Sequence, residues 1–331
     1  MQSDRIKRRK FLTLVGSAAV AHLVRPSVAR TQDAGRTYRF SIIFGDSREA
    51  PRIMALFDEL KLFGFVEGQN LSVAPGGFNL RRDQYAEYAR TLVKSNPDVI
   101  FCVGDAAMLA AREATQTIPL VGLLSSSMVA AGLIRTFARP GSNVTGVSFP
   151  SELDGKRQEL LLEAVPGARN IAILADPSYT VSSQLQALED TARARGLTAV
   201  VLTARKDTEI APAMDKAKGS GATALNVLAA PLFSFNRRVI IERAEALGLP
   251  AIYEWPEMAE EGGLIAYGPS LPLIYRQAAR LVVRVFRGAR PQDLPVELPV
   301  KFDLVVNLKT AKALGLTLPE TFLARADEII E

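Results

Sequence analysis

Histidine and cysteine are almost absent from this 331-residue chain, which holds one of each, His22 and Cys102. A single cysteine forbids an internal disulfide. Cys102 lies in the apolar run Val99-Ile100-Phe101-Cys102-Val103, where a small buried hydrophobe is expected in preference to a reactive thiol. His22 falls inside an N-terminal export pattern, so the chain beyond residue 29 has no histidine at all. Ser-His-Asp and Cys-His nucleophile pairs are thereby excluded, as is His-ligated zinc. Also missing are a Walker sequence, a Gly-x-Gly-x-x-Gly after the first strand and an acidic metal-binding loop, so no motif calls for a nucleotide, a metal or any other cofactor. Catalysis by carboxylates alone stays open in principle, with Asp105 or Glu254 as its candidates, but no feature demands it and an enzyme is not expected.

The export pattern is a basic stretch (Arg5, Lys7, Arg8, Arg9, Lys10) ahead of a short apolar run from Phe11 to Val24. Ser27-Val28-Ala29 then offers the small residues of a cleavage site after Ala29. Arg8-Arg9-Lys10-Phe11-Leu12 matches the twin-arginine pattern, which marks proteins that are exported folded. Residues 1–29 are therefore expected to be a signal that delivers the chain to the periplasm. No cysteine directly follows Ala29, so a lipid anchor at the cleavage point is not expected. Six of the 40 basic residues lie within it, against one of the 35 acidic ones, which leaves 34 of each. The sequence pI of about 9.3 thus says nothing of nucleic acid or anionic membrane as partners.

From Tyr38 onward short β-branched runs alternate with amphipathic stretches, the pattern of βαβ units and parallel sheets. Two such sets are visible. The first has strands over 39–44, 71–74, 98–103 and 119–124, with helices over 50–63, 83–95 and 105–115. The second follows 143–149, with strands over 170–175, 199–203, 222–228 and 251–253 and helices starting near Val181, Asp207 and Phe235. Exits such as Phe63-Gly64-Phe65 and Arg195-Gly196-Leu197 stop a helix at Gly and turn directly into the next strand. The last 65 or so residues supply a strand over 263–267, a helix over 272–287 and a strand near 302–306, too little for a third domain. The expected fold is α/β: two doubly wound parallel-sheet lobes joined by a three-segment hinge, with residues 38–147 and 266–296 in lobe 1 and residues 148–265 and 297–331 in lobe 2. A hinge of this kind closes two lobes on something held between them.

In open α/β sheets ligands sit beyond the carboxyl ends of the strands, where helix N-termini point N–H groups into the crevice. The loops in that position are Gly45–Arg48, Gly104–Ala107 and Ser125–Ser127 in the first set, and Asp176–Tyr179, Ala229–Phe233 and Tyr253–Trp255 in the second. Gly104, Asp105 and Ala106 allow close backbone approach at a helix start, which suits a carboxylate. Asp105 either caps its helix or meets a ligand. Ser125, Ser126 and Ser127 either bind a polar group or cap the next helix. Asp176 opens the corresponding loop of the second set. Phe233, Tyr253, Trp255 and Tyr267 either wall a pocket or pack in the core.

Gly64-Phe65-Val66-Glu67-Gly68-Gln69-Asn70, Arg139-Pro140-Gly141-Ser142-Asn143-Val144-Thr145-Gly146-Val147-Ser148, Pro250-Ala251-Ile252-Tyr253-Glu254 and Asn307-Leu308-Lys309-Thr310-Ala311-Lys312-Ala313-Leu314-Gly315-Leu316 resemble a family of ABC-transporter substrate-binding proteins with the type I periplasmic-binding-protein fold. The resemblance spans essentially the whole chain after the signal. It implies a two-lobed, Venus-flytrap receptor that closes on a small solute and hands it to an inner-membrane ABC permease; relatives bind aromatic amino acids. Carried over loop by loop, the family's pocket positions fall on Asp46, Gly104, Asp105 and Ala106, with Phe233, Tyr253, Glu254 and Tyr267 facing them. Many members have Gly-Asp-Pro where this chain has Ser125-Ser126-Ser127, so an acidic partner for a ligand amine is absent there and a solute bearing only a carboxylate becomes comparable to an amino acid. Presentation of bound ligand to a membrane sensor is the other role the resemblance allows. A receptor that docks and hinges is expected to be monomeric.

Overall fold

Strands form where runs of Val, Ile, Leu and Phe can be buried on both faces, the condition of a parallel sheet covered by helices. The computed structural model describes residues 35–125, 128–129, 131–149 and 153–331; the expected signal, Ser126 and Ser127 lie outside them. Five strands make the first sheet: β1 (Tyr38–Ile43), β2 (Leu71–Val73), β3 (Val99–Val103), β4 (Leu120–Ser125) and β5 (Val144–Phe149), all parallel, in the order β2-β1-β3-β4-β5. Helices α1 (Pro51–Leu62), α2 (Tyr85–Lys94) and α3 (Asp105–Ala114) connect them. Order 2-1-3-4-5 is that of a doubly wound sheet, in which the direction of winding reverses between β1 and β3.

The second sheet has seven strands: β6 (Asn170–Ala175), β7 (Thr198–Thr203), β8 (Ala224–Val227), β9 (Ala251–Tyr253), β10 (Ile265–Gly268), β11 (Asp303–Asn307) and β12 (Glu328–Ile330), in the order β12-β11-β10-β9-β8-β6-β7. Its pairs are parallel except β10 with β11, where Tyr267 faces Leu304 in antiparallel register. The helices of this half are α4 (Leu153–Ala164), α5 (Ser182–Ala194), α6 (Asp207–Gly219), α7 (Pro231–Phe235), α8 (Arg237–Ala246) and α9 (Pro256–Glu260). α10 (Leu271–Phe286), α11 (Leu308–Ala313) and α12 (Glu320–Leu323) complete the chain. Residues from Thr37 to Glu331 form one contact unit that holds both sheets.

α10 follows a strand of the second sheet yet covers the first. Phe286 sits 5.0 Å from Tyr38, 5.0 Å from Phe65 and 6.1 Å from Phe40, ring centroid to centroid, while Tyr275 lies 6.3 Å from Phe44 and 6.0 Å from Phe101. Aromatic pairs of this kind contribute roughly 0.5–1.5 kcal/mol each beyond the area they bury. At its exposed side Arg280 pairs with Glu59 of α1 at 2.7 Å. The segment after α10 also stays beside the first sheet, where Glu297 exchanges backbone hydrogen bonds with Gly146 and Ser148 at 2.9 and 2.8 Å. The chain therefore passes between the sheets three times: after β5, after β10 and ahead of β11. β5 remains in the first sheet through Phe149 and β10 in the second through Gly268, because their backbone groups are still paired there. These strand ends, and not the expected breaks at 147/148 and 265/266, are where the first two passages begin.

Candidate functional site

β3 ends at Val103, and Gly104 then turns the chain into α3 with φ 86°, the left-handed region in which a Cβ is costly. Gly104 occupies the N-cap position and no side chain caps α3. Asp105 is the first helical residue, where a carboxylate is favoured by the helix dipole. Of the two roles open to Asp105, the helix cap thus belongs to its neighbour. A Cβ built on Gly104 would lie 4.0 Å from Cγ of Pro231, the first residue of α7, so the strand-end loops of the two sheets meet here. They meet again where Phe44 and Phe235 bring their rings to 6.4 Å.

At the start of α3, next to Gly104, lies a cavity of about 160 Å³ lined by Arg82, Asp105, Ala106, Leu109, Ala131, Leu133, Ser178 and Tyr179. A cavity of roughly 150 Å³ accepts one benzene ring. Arg82 begins a single 3₁₀ turn ahead of α2, which Gln84 fastens by accepting the Arg81 N–H at 2.9 Å. Ser178 and Tyr179 are presented by a turn built on Asp176. Its buried carboxylate accepts the Ser178 N–H at 2.8 Å, and its carbonyl accepts the N–H groups of Tyr179 and Thr180 at 2.9 and 2.8 Å. Burial pushes the Tyr179 hydroxyl up from its ordinary pKa, and the negative charge of Asp105 adds to this while Arg82 opposes it. Tyr179 is therefore a neutral donor in a cavity that also carries an anion and a cation, a polar arrangement with an apolar floor of Leu109 and Leu133. Among the described residues no group of His, Cys, Asp and Glu could hold a metal ion, and no helix is long and apolar enough to cross a membrane.

The model of one family, described as ABC transporter substrate binding protein, matches residues 41–330. The chain belongs to that family. Among relatives of this substrate binding protein is a tyrosine-binding protein of Clostridioides difficile (strain R20291), 24% identical over 257 residues that span 76% of this chain and 73% of the relative. Two solved structures share the fold. A conserved domain protein from Vibrio cholerae O1 biovar El Tor has TM-score 0.80 and 26% identity over 89% of this chain and all of the other. An ABC domain in complex with L-Trp from Streptococcus pneumonia has TM-score 0.76 and 22% identity over 88% of this chain and all of the other. The fold is that of type I periplasmic binding proteins.

Among the candidate residues of this substrate binding protein, Asp105 and Ala106 line the cavity and Gly104 adjoins it. Asp176 shapes the cavity wall from behind. Asp46 pairs with Arg52 and accepts the Ser47 N–H at 2.7 Å, which occupies it with the β1–α1 turn. Ser125 ends β4, and Ser126 and Ser127 lie outside the described residues. Phe233 and Tyr253 are buried in the main core cluster, and Tyr253 packs its ring over Gly263. Tyr267 stacks at 6.5 Å on Phe302. Glu254 is 9% exposed. Burial pushes its carboxyl up to about 8 in spite of the neighbouring Arg157 charge, and Asp154 pushes the same way. The free thiol of Cys102 is buried and burial raises it. Arg82, Ser178 and Tyr179 are the polar cavity residues that strand-end reasoning does not single out. The loop Asp176–Tyr179 is a strand end in which the sequence draws attention to Asp176 alone; the loop after β2, which carries Arg82, shows in sequence only the pair Gly76-Gly77, the mark of an ordinary turn.

Proposed function

We propose that this substrate binding protein is the solute-capturing subunit of an ABC importer, exported to the periplasm with residues 1–29 removed. It closes a cleft between two lobes on a small carboxylate-bearing solute, aromatic amino acids such as tyrosine and tryptophan included. The observation that carries this is the cavity where loops from the carboxyl ends of both sheets meet, with Arg82 and Asp105 on one side and Ser178 and Tyr179 on the other. Arg82 suits the solute's carboxylate and Asp105 an amine. Leu109, Leu133 and the Tyr179 ring suit an apolar side chain about one ring in size. Because the wall is shared between the strand ends of two sheets, a solute that touches both favours the closed arrangement by its differential affinity. The solute then passes to an inner-membrane permease. The relatives that bind tyrosine and tryptophan support the amino-acid class.

The test is isothermal calorimetry of the chain without residues 1–29 against tyrosine, tryptophan, phenylalanine and the corresponding aromatic and aliphatic acids lacking the amine. Binding of at least one at micromolar concentration is expected, and silence from all of them at millimolar concentration overturns the proposal.

A further inference from the structure

Beneath the second-sheet wall of the cavity lies an ion pair that takes no part in lining it. Asp154 and Arg157, in the first turns of α4, pair at 2% and 1% side-chain exposure. Asp154 and Arg157 gather groups from three other elements and one loop. The carboxylate accepts the Ala229 N–H at 3.2 Å and the side-chain amide of Gln184 in α5, while the Asp154 carbonyl accepts Asn226 Nδ2 of β8 at 3.3 Å. The guanidinium uses a separate nitrogen, Nη1, to donate to the Tyr267 carbonyl of β10 at 3.1 Å. Next to it, Gly268 lies so close to β9 that a Cβ there would sit 1.9 Å from the Glu254 carbonyl oxygen.

Each tethered point leads to the cavity or to a passage between sheets. Ala229 opens the loop that ends in Pro231, the residue packed on Gly104. Gln184 stands in the first turn of α5, which the Asp176–Tyr179 turn enters. Tyr267 and Gly268 end β10, where the chain leaves for α10. Glu254, raised to about 8 mainly by burial, is neutral at pH 7, so the Arg157 charge is answered by Asp154. A buried ion pair is a weak source of stability, since two well-packed apolar residues often serve as well; its directional bonds to several elements are what apolar residues cannot supply.

We propose that Arg157, together with Asp154, is a positioning residue for solute capture: one buried clamp that sets the Ser178–Tyr179 wall of the cavity, and the Ala229–Pro231 loop beside Gly104, against the β10 end. The proposal rests on the solute-binding function above. Lysine at 157 keeps the charge beside Asp154, but its single ammonium does not span to the Tyr267 carbonyl as well. The D154N/R157M double variant removes both charges and so leaves none buried alone.

Amide hydrogen exchange and L-tyrosine calorimetry on wild type, R157K and D154N/R157M test this. In both variants the Ala229, Ser178 and Tyr179 amides are expected to exchange at least ten-fold faster, with the β6 and β8 amides unchanged. Where wild type binds L-tyrosine, Kd is expected to rise at least ten-fold while Tm moves by only a few degrees. Unchanged exchange at Ala229 and Tyr179, or exchange raised equally along β6 and β8, overturns the clamp. So does an L-tyrosine Kd within two-fold of wild type. If wild type binds no solute at all, the proposed function fails, and the exchange pattern still decides the clamp by itself.

Discussion

Replacing Glu254 by Gln separates the cost of burying a carboxyl group from every other determinant of stability at the second-sheet strand ends. Burial, the leading cause, holds the Glu254 carboxyl at about 8 in the folded chain, against an ordinary value of 4.5. Between those two pH values the folded state carries a proton that the unfolded state has already released. Stability therefore falls as pH rises through that window, by about 1.4 kcal/mol per pH unit. At pH 7 the accumulated cost is about 3 kcal/mol, and it levels off above pH 8. Glutamine has nearly the same shape and no proton to lose, so E254Q matches wild type near pH 4.5 and exceeds it by about 3 kcal/mol at pH 7. Urea denaturation of both proteins from pH 5 to 9 measures the difference. Glu257, whose carboxyl burial pushes up to about 7, leaves a residual fall in E254Q that ends one unit earlier. A difference between the two proteins that does not change with pH would refute the reasoning, as would an E254Q less stable than wild type at pH 8. Either result would mean that Arg157 keeps Glu254 ionised in the folded chain.

Three further outcomes follow from the same geometry. Removing the Tyr179 ring (Y179A) or the Asp105 charge (D105N) lowers solute affinity at least ten-fold in calorimetry; D105N leaves Tm within a few degrees, whereas Y179A also lowers it, because the half-buried Tyr179 ring packs against the main core cluster. G268A drives a methyl group into the Glu254 carbonyl and lowers the free energy of unfolding in urea by ~3 kcal/mol. F286A empties the space shared with Tyr38, Phe40 and Phe65 and costs about 3–5 kcal/mol in the same assay, although it lies far from the cavity.

Most strands were legible because a parallel strand buried on both faces is a run of apolar residues, as in Val99–Val103. α4 was not. It buries Asp154, Arg157 and Gln158 together with Leu160, Leu161 and Leu162, so polar and apolar residues share its hidden side and no amphipathic stripe marks it. β12 is three residues long and half-exposed at a sheet edge, too short to show a period. The antiparallel β10–β11 pair was equally hidden, since direction is set by how the chain returns from α10 and not by the composition of either strand. At the site, the rule that ligands meet strand carboxyl ends led to Asp105 and Ala106 and to the loop that holds Tyr179. It could not tell that Phe233 and Tyr253 turn inward, because an aromatic at a strand end has the same sequence neighbours whichever way its ring points.

The placement of α10 has a consequence for the order in which the chain can fold as it is made. β1 and β3 are finished by residue 103, but the apolar surface of Phe40, Phe44 and Phe101 is covered by Tyr275 and Phe286. A ribosome that has released only the first sheet exposes an uncapped hydrophobic face, and that face stays open while the entire second sheet up to β10 is synthesised. Long-range closure of this kind is slow and exposes the nascent chain to aggregation. Neither half is continuous in sequence, so neither matures early, and a chain cut short anywhere before residue 286 forfeits the cover of its first half as well as the end of its second.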